Sequence, residues 1–281
     1  MVIRERLRTV VDDHPVAAFF VLAYALSWAV WIPTALGSGG LATAGTIVGS
    51  FGPAVAAAVV LWLDGGSVRE WAERIVRWRV APRWYLVAVA LPLVVVGLAS
   101  VGIALLGSDV DLSTLRGRGS MVLASYLIVA LVGGGNEEPG WRGFALPRLQ
   151  ERYAPVAATL LLGVVWAFWH LPLLPVDTAR LHGLAWLLEE GPLVVLRVLN
   201  IVGFAFLLTW IYNRTGSVLL ALLLHAGINT ANSTLVPLPL EALAGDAYPT
   251  VLLAVTVGVW VVAVALVALT RGRLGYETDG Q

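Results

Sequence analysis

Long apolar runs separated by short polar breaks dominate the chain, with no sustained alternation of the kind a half-buried strand needs. A helix crossing the hydrocarbon core of a bilayer takes about 20 consecutive apolar residues. Runs close to that length fall at about 16–36, 44–63, 84–106, 120–136, 155–175, 192–212, 217–236 and 248–270. They predict an all-α fold, a polytopic membrane bundle of about eight transmembrane helices. The fourth run is short, and only Asn213 to Gly216 separate the sixth from the seventh. Pro92, Pro172 and the Gly52-Pro53 pair interrupt runs, which membrane helices tolerate when neighbours satisfy the freed backbone groups. Residues 67–80 differ from the rest. There Arg69, Glu70, Glu73, Arg74, Arg77 and Arg79 mix with Trp71, Ile75 and Trp78 at helical spacing, which suits an amphipathic helix lying in the interface.

Composition agrees with this pattern. The 281 residues are 59% hydrophobic and 13% charged, with a mean hydropathy of +0.84, against about 25% charged in a soluble domain. The first run is too long for a signal-peptide core and lacks a convincing cleavage site, so it reads as a retained anchor. A net charge of zero leaves no basic excess to neutralise phosphates, so nucleic acid is not an expected partner. The absence of cysteine removes disulfides, a thiolate nucleophile and a cysteine metal site. All eighteen basic residues are arginine, a bias that points to a GC-rich, prokaryotic genome and hence to the cell membrane.

Arginine also orients the bundle, because cytoplasmic loops carry the basic excess. With a cytoplasmic N-terminus and eight alternating helices, the inside receives Arg4, Arg6, Arg8, Arg69, Arg74, Arg77, Arg79, Arg83, Arg142, Arg148, Arg152, Arg214, Arg271 and Arg273. The outside receives only Arg116, Arg118 and Arg180, and Arg197 falls within a span. Both termini are therefore expected in the cytoplasm. The twelve tryptophans, among them Trp28, Trp31, Trp84, Trp186 and Trp210, fall mostly near span ends, as an interfacial belt requires. Asp177, Arg180, His182, Glu189 and Glu190 read as a solvated outer loop. No internal repeat or soluble second domain is visible, and residues 1–281 are expected to form one membrane domain.

Within this apolar frame Glu137 and Glu138 stand out, because ionisable groups at membrane depth are costly and mark sites or pathways. They follow Gly133, Gly134 and Gly135, and they are read at the inner end of the fourth span. A break near 136–138, with a new helix starting at Pro139, would put both carboxylates at a helix N-terminus, where the dipole favours negative charge. Arg142 lies four residues past Glu138, the spacing of a helical ion pair. Such a pair would hold one carboxylate structurally and leave the other free to act as a base. A plain surface loop is the competing local reading.

The histidines change that balance. His170 ends Trp166-Ala-Phe-Trp-His170, late in the fifth span, and His225 lies in mid-seventh span with Asn229 one turn on, facing the same side. Converging in one wet cavity, these groups would supply a general base, histidines to bind a metal or polarise a water, and an oxyanion donor. One difficulty is depth. His170 is about 22 Å along a helix that starts near Pro155, at 1.5 Å per residue, whereas the glutamates are expected near the inner face.

Glu137-Glu138-Pro-Gly-Trp-Arg142 resembles the EExxxR motif of the CPBP intramembrane protease family, also called Abi, which includes the type II CAAX prenyl endopeptidases. His170 matches the histidine of that family's FxxxH motif, and His225 with Asn229 matches its HxxxN motif. The three occur in the family's order, over about 120–235, with Trp166 standing where the pattern has phenylalanine. The resemblance implies an intramembrane endopeptidase in which Glu137 activates the hydrolytic water and His170 holds or polarises it. His225 and Asn229 would stabilise the tetrahedral oxyanion, and Glu138 and Arg142 would organise the site. It leaves two options for cofactors, Zn2+ or another divalent metal on Glu137, His170 and His225 with an open position for water, or a metal-free glutamate–histidine pair. The partners expected are a peptide or membrane-protein substrate and the lipid bilayer. A proton- or ion-coupled transporter using the same residues as a relay, and a non-proteolytic scaffold or immunity protein carrying the motif, are the alternative readings.

Overall fold

The computed structural model describes residue 11 and residues 13–35, 40–173 and 191–277, so the expectations for Arg4, Arg6, Arg8, Asp177, Arg180, His182, Trp186, Glu189 and Glu190 fall outside the described residues. Among the described residues there are helices and no strands. In chain order the principal helices are α1 (Pro15–Ala35), α2 (Gly40–Ser50), α3 (Gly52–Asp64), α4 (Val68–Ile75), α5 (Arg83–Leu105), α6 (Gly119–Val132), α7 (Pro155–Trp169), α8 (Gly191–Thr215), α9 (Val218–Thr234) and α10 (Tyr248–Leu269). Each predicted run is occupied by helix. Among the described residues, six stretches are long and apolar enough to cross a membrane: Pro15–Thr34, Gly40–Asp64, Arg83–Leu105, Gly119–Gln150, Gly191–Thr215 and Tyr248–Leu269. The helices α7 and α9 are shorter, at 15 and 17 residues.

The outward faces of these helices are lipid-like. Leu86, Leu93, Leu105, Leu131, Val261 and Leu269 are exposed, and contiguous apolar surface on this scale belongs against hydrocarbon. This is a multi-pass membrane protein. Inside, α1 packs on α2 and α3, α7 on α8, α8 on α10, α5 on α10 and α9, and α9 on α6 and α8.

Local chemistry explains several boundaries. Pro53 sits in the first turn of α3, and the Phe51 junction splits the second span into α2 and α3. The amphipathic helix expected over 67–80 is shorter, α4 (Val68–Ile75), where Ser67 caps the N-terminus by accepting from the Glu70 amide at 3.1 Å. Ser217 caps α9 in the same way and also donates to the Arg77 carbonyl at 2.6 Å, tying the interfacial segment to α9. Two arginines assigned to loops are buried instead. Arg118 donates to the carbonyls of Thr234, Val236 and Leu238 past the end of α9, satisfying groups a helix C-terminus leaves orphaned. Arg142 is wholly buried in the bundle.

Several tryptophans lie inside the bundle. Trp31, Trp141 and Trp169 are fully buried and build an aromatic core with Phe19 and Phe144. Trp31 contacts Trp169 with ring centroids 4.3 Å apart. Trp166, equally buried, packs against Phe204.

Candidate active site

The fourth span does not end at Val132. It continues through short helical turns (Gly135–Glu137, Glu138–Gly140, a π-turn Trp141–Ala145, and Leu146–Gln150) as one 32-residue stretch, Gly119–Gln150. The glutamates therefore lie within this stretch and not at its end. That placement answers the length mismatch with His170. Twelve residues separate Glu138 from the stretch's end, about 18 Å of helix, and the chain then turns back into α7, where His170 lies about 22 Å from the start. The two antiparallel segments bring Glu137 and His170 to the same level.

Three devices hold the turn that carries the carboxylates. Gly134 has φ of +136°, a conformation that favours glycine, and a Cβ there would meet His225 Nε2 at 2.7 Å and Asn229 Nδ2 at 3.1 Å. Asn136 accepts from the Gly134 amide at 3.0 Å and donates to Ser50 Oγ at 2.8 Å, fastening the turn to the end of α2. From the other side Trp71 of α4 donates to the Pro139 carbonyl at 2.9 Å. The π-turn follows directly, and such bulges occur frequently at functional sites.

Glu138 is fully buried, and its Oε1 receives both Arg142 Nη1 at 3.1 Å and His225 Nδ1 at 2.7 Å. The expected pairing with Arg142 is present, and the contact with His225 is added to it. A buried arginine without this carboxylate would cost several kcal/mol. Arg142 also lies over the Trp166 ring, 4.4 Å from its centroid.

Glu137 faces a different set. Its Oε2 accepts from Trp166 Nε1 at 2.8 Å and lies 3.9 Å from His170 Nε2. The His170 Nδ1 is 2.8 Å from the Trp166 carbonyl, which takes an Nδ1–H and turns the Nε2 lone pair towards Glu137. A gap of 3.9 Å is too long for a hydrogen bond and suits one water touching both groups. His170 is about one-fifth exposed, against 6% for Glu137, so the gap opens on the histidine side.

His225 meets Trp166 and Phe204 edge-on at 5.5 and 5.0 Å. With Nδ1 on Glu138, its Nε2 faces Gly134 beside Asn229 Nδ2. Asn229 also lines a cavity of about 390 Å3 with Asn200, Asn232, Tyr248 and Val255.

All six sequence-assigned residues thus fall in one region, built by α6 and its continuation, α7 and α9. Sequence reading missed Ser50, Asn136 and Trp71, which hold the turn, and undervalued the Trp166 indole N–H. Their signal was weak, since a serine, an asparagine and tryptophans are ordinary in membrane spans. For a metal, orientation and convergence disagree. Each histidine has its Nδ1 on a carbonyl or carboxylate, as metal-binding histidines do. Yet among the described residues no three His, Asp or Glu side chains draw together as a metal-holding group. The arrangement fits a water between Glu137 and His170.

Comparison with known proteins finds similarity in the region that contains these residues. Residues 119–231 match the model of the family described as Type II CAAX prenyl endopeptidase Rce1-like. CAAX prenyl protease 2 of Methanococcus maripaludis is 33% identical over 106 residues, which cover 37% of this chain and 38% of that protein. The alignment thus spans well under half the length of the relative. The region that builds the site is the region similar to the Rce1-like type II CAAX prenyl endopeptidases, and this is the family the three motifs resemble.

Proposed function

We propose that the protein is an intramembrane endopeptidase of the cell membrane of a prokaryote, hydrolysing a peptide bond in or near the bilayer by glutamate-activated water. The observation that carries this reading is the 3.9 Å gap between Glu137 Oε2 and His170 Nε2 inside an otherwise sealed polar cluster. Glu137 takes a proton from water held in that gap, and the hydroxide oxygen bonds to the scissile carbonyl carbon. His170 orients the water through its Nε2 lone pair. The oxyanion that develops is met by Asn229 Nδ2, with His225, held by Glu138, beside it. Collapse breaks the C–N bond, and Glu137 returns its proton to the leaving amine. Arg142 pairs with Glu138 and fixes it. Substrates are proposed to be peptides or membrane-protein segments that enter from the lipid side. A prenylated tail is what the relatives' names suggest.

The test is purified protein in liposomes, offered a peptide library with and without chelator. Cleavage is expected from the wild type and to persist in chelator, while Glu137→Ala and His170→Ala fold normally and lose activity by about 10²–10⁴. Full activity in either variant rejects the assignment. Activity lost to chelator and restored by Zn2+ would instead require the Glu137, His170 and His225 set to close around a metal.

A further inference from the structure

We infer that Trp166 is a positioning residue for the proposed base, and that its indole N–H, and not only its ring, is what the site uses. This rests on the reading of Glu137 as base. One side chain touches nearly every member of the cluster: the N–H meets Glu137 Oε2 at 2.8 Å, the face carries Arg142 at 4.4 Å, and the ring meets His170 and His225 edge-on at 5.6 and 5.5 Å. Its own carbonyl holds His170 Nδ1 at 2.8 Å. Residue 166 therefore sets both partners of the water, His170 through the main chain and Glu137 through the side chain. Any residue supplies the carbonyl. The side-chain donor at this position binds the Glu137 oxygen that faces His170.

The donor matters because a carboxylate on a flexible glutamate stem has about four acceptor sites and can present any of them. The indole occupies one site of Oε2 and stops rotation of the group. A further site of that same oxygen is left facing the gap to His170. Trp166 is buried with only 1% exposure, so water does not replace the donor when it is removed. A phenylalanine, the residue of the motif pattern, keeps the ring that stacks with Arg142 and loses the N–H. In this chain Glu137 is thus held by a bond that the phenylalanine pattern lacks.

The experiment compares wild type, Trp166→Phe, and Trp166 replaced by 3-benzothienylalanine, an indole isostere without the N–H, with Glu137→Gln as control. Both Trp166 substitutions are expected to lower kcat by on the order of tenfold with KM unchanged, and the isostere should keep the wild-type Tm. A purely packing role predicts full kcat in the isostere, and that result overturns the inference. If the Glu137→Gln control cleaves at the wild-type rate, the reading of the site fails instead, so the two failures are distinguishable. Without reference to turnover, the Trp166 indole proton should exchange slowly with solvent in the wild type and faster in Glu137→Ala. Equal exchange in the two also overturns the inference.

Discussion

At the residue scale, two adjacent carboxylates stand in different surroundings, which is what supports giving them separate roles. Glu138 is enclosed by Arg142 and His225, and Glu137 is left against Trp166 and the gap to His170. Replacing Glu138 by glutamine leaves a fully buried guanidinium without its charge partner, which should destabilise the fold by about 3–5 kcal/mol. Thermal unfolding in detergent or nanodiscs is expected to give a clearly lower Tm for Glu138→Gln than for Glu137→Gln. An equal or smaller loss would contradict the assignment of roles. Gly134 is a second test at this scale. Gly134→Ala introduces a Cβ against His225 Nε2 at a backbone angle that costs about 1–3 kcal/mol. It should abolish cleavage, whereas Gly119→Ala, where a Cβ meets nothing within 4 Å, should not. The pairing of Glu138 with Arg142 was legible in the sequence, since spacing alone puts them a turn apart. The contacts of Glu137 with Trp166 and of Glu138 with His225 were not, because they join residues 29 and 87 positions apart and depend on helix rotation that hydropathy does not encode.

Elements supply what single residues do not, namely depth. Apolar run length located the long helices among the described residues, but the fourth stretch extends past the end of its apolar run. The chain bends at Gly133 and Gly134, and helical turns then continue to Gln150, buried from Gly134 to Leu146. Here polar residues lie inside the bundle and not at its surface. The first three helices, which hydropathy alone describes as generic spans, carry the support: Ser50 at the end of α2 holds Asn136, and Phe19 of α1 packs on Trp141 and Phe144. The amphipathic α4 was legible as interfacial from its arginine pattern. Its bond to the site segment was not, since it needs Trp71 turned inward to the Pro139 carbonyl. Trp71→Phe should therefore lower kcat several-fold through a loosened turn, with a modest loss in Tm, as measured by peptide cleavage and thermal unfolding side by side. Unchanged kcat would make α4 a passive interfacial helix.

For the whole molecule, the bundle places a polar cluster between helices whose outer faces are leucine and valine. Sidedness is the molecular-scale expectation that arginine distribution carries. Because the chain has no cysteine, single replacements report it without background. Arg273→Cys, just past α10, should react with a membrane-impermeant maleimide only from the cytoplasmic face, and Ser113→Cys, between α5 and α6, only from the opposite one. The reverse pattern would invert the proposed topology. The central claim is that Glu137 delivers water to a peptide bond, and mass spectrometry of products formed in H2(18)O tests it most directly. The wild type in liposomes is expected to place one heavy oxygen in each new carboxyl terminus, and Glu137→Gln to form no such product. Cleavage by Glu137→Gln at the wild-type rate, or Glu137-dependent ion flux across the liposome with no labelled product, would contradict it.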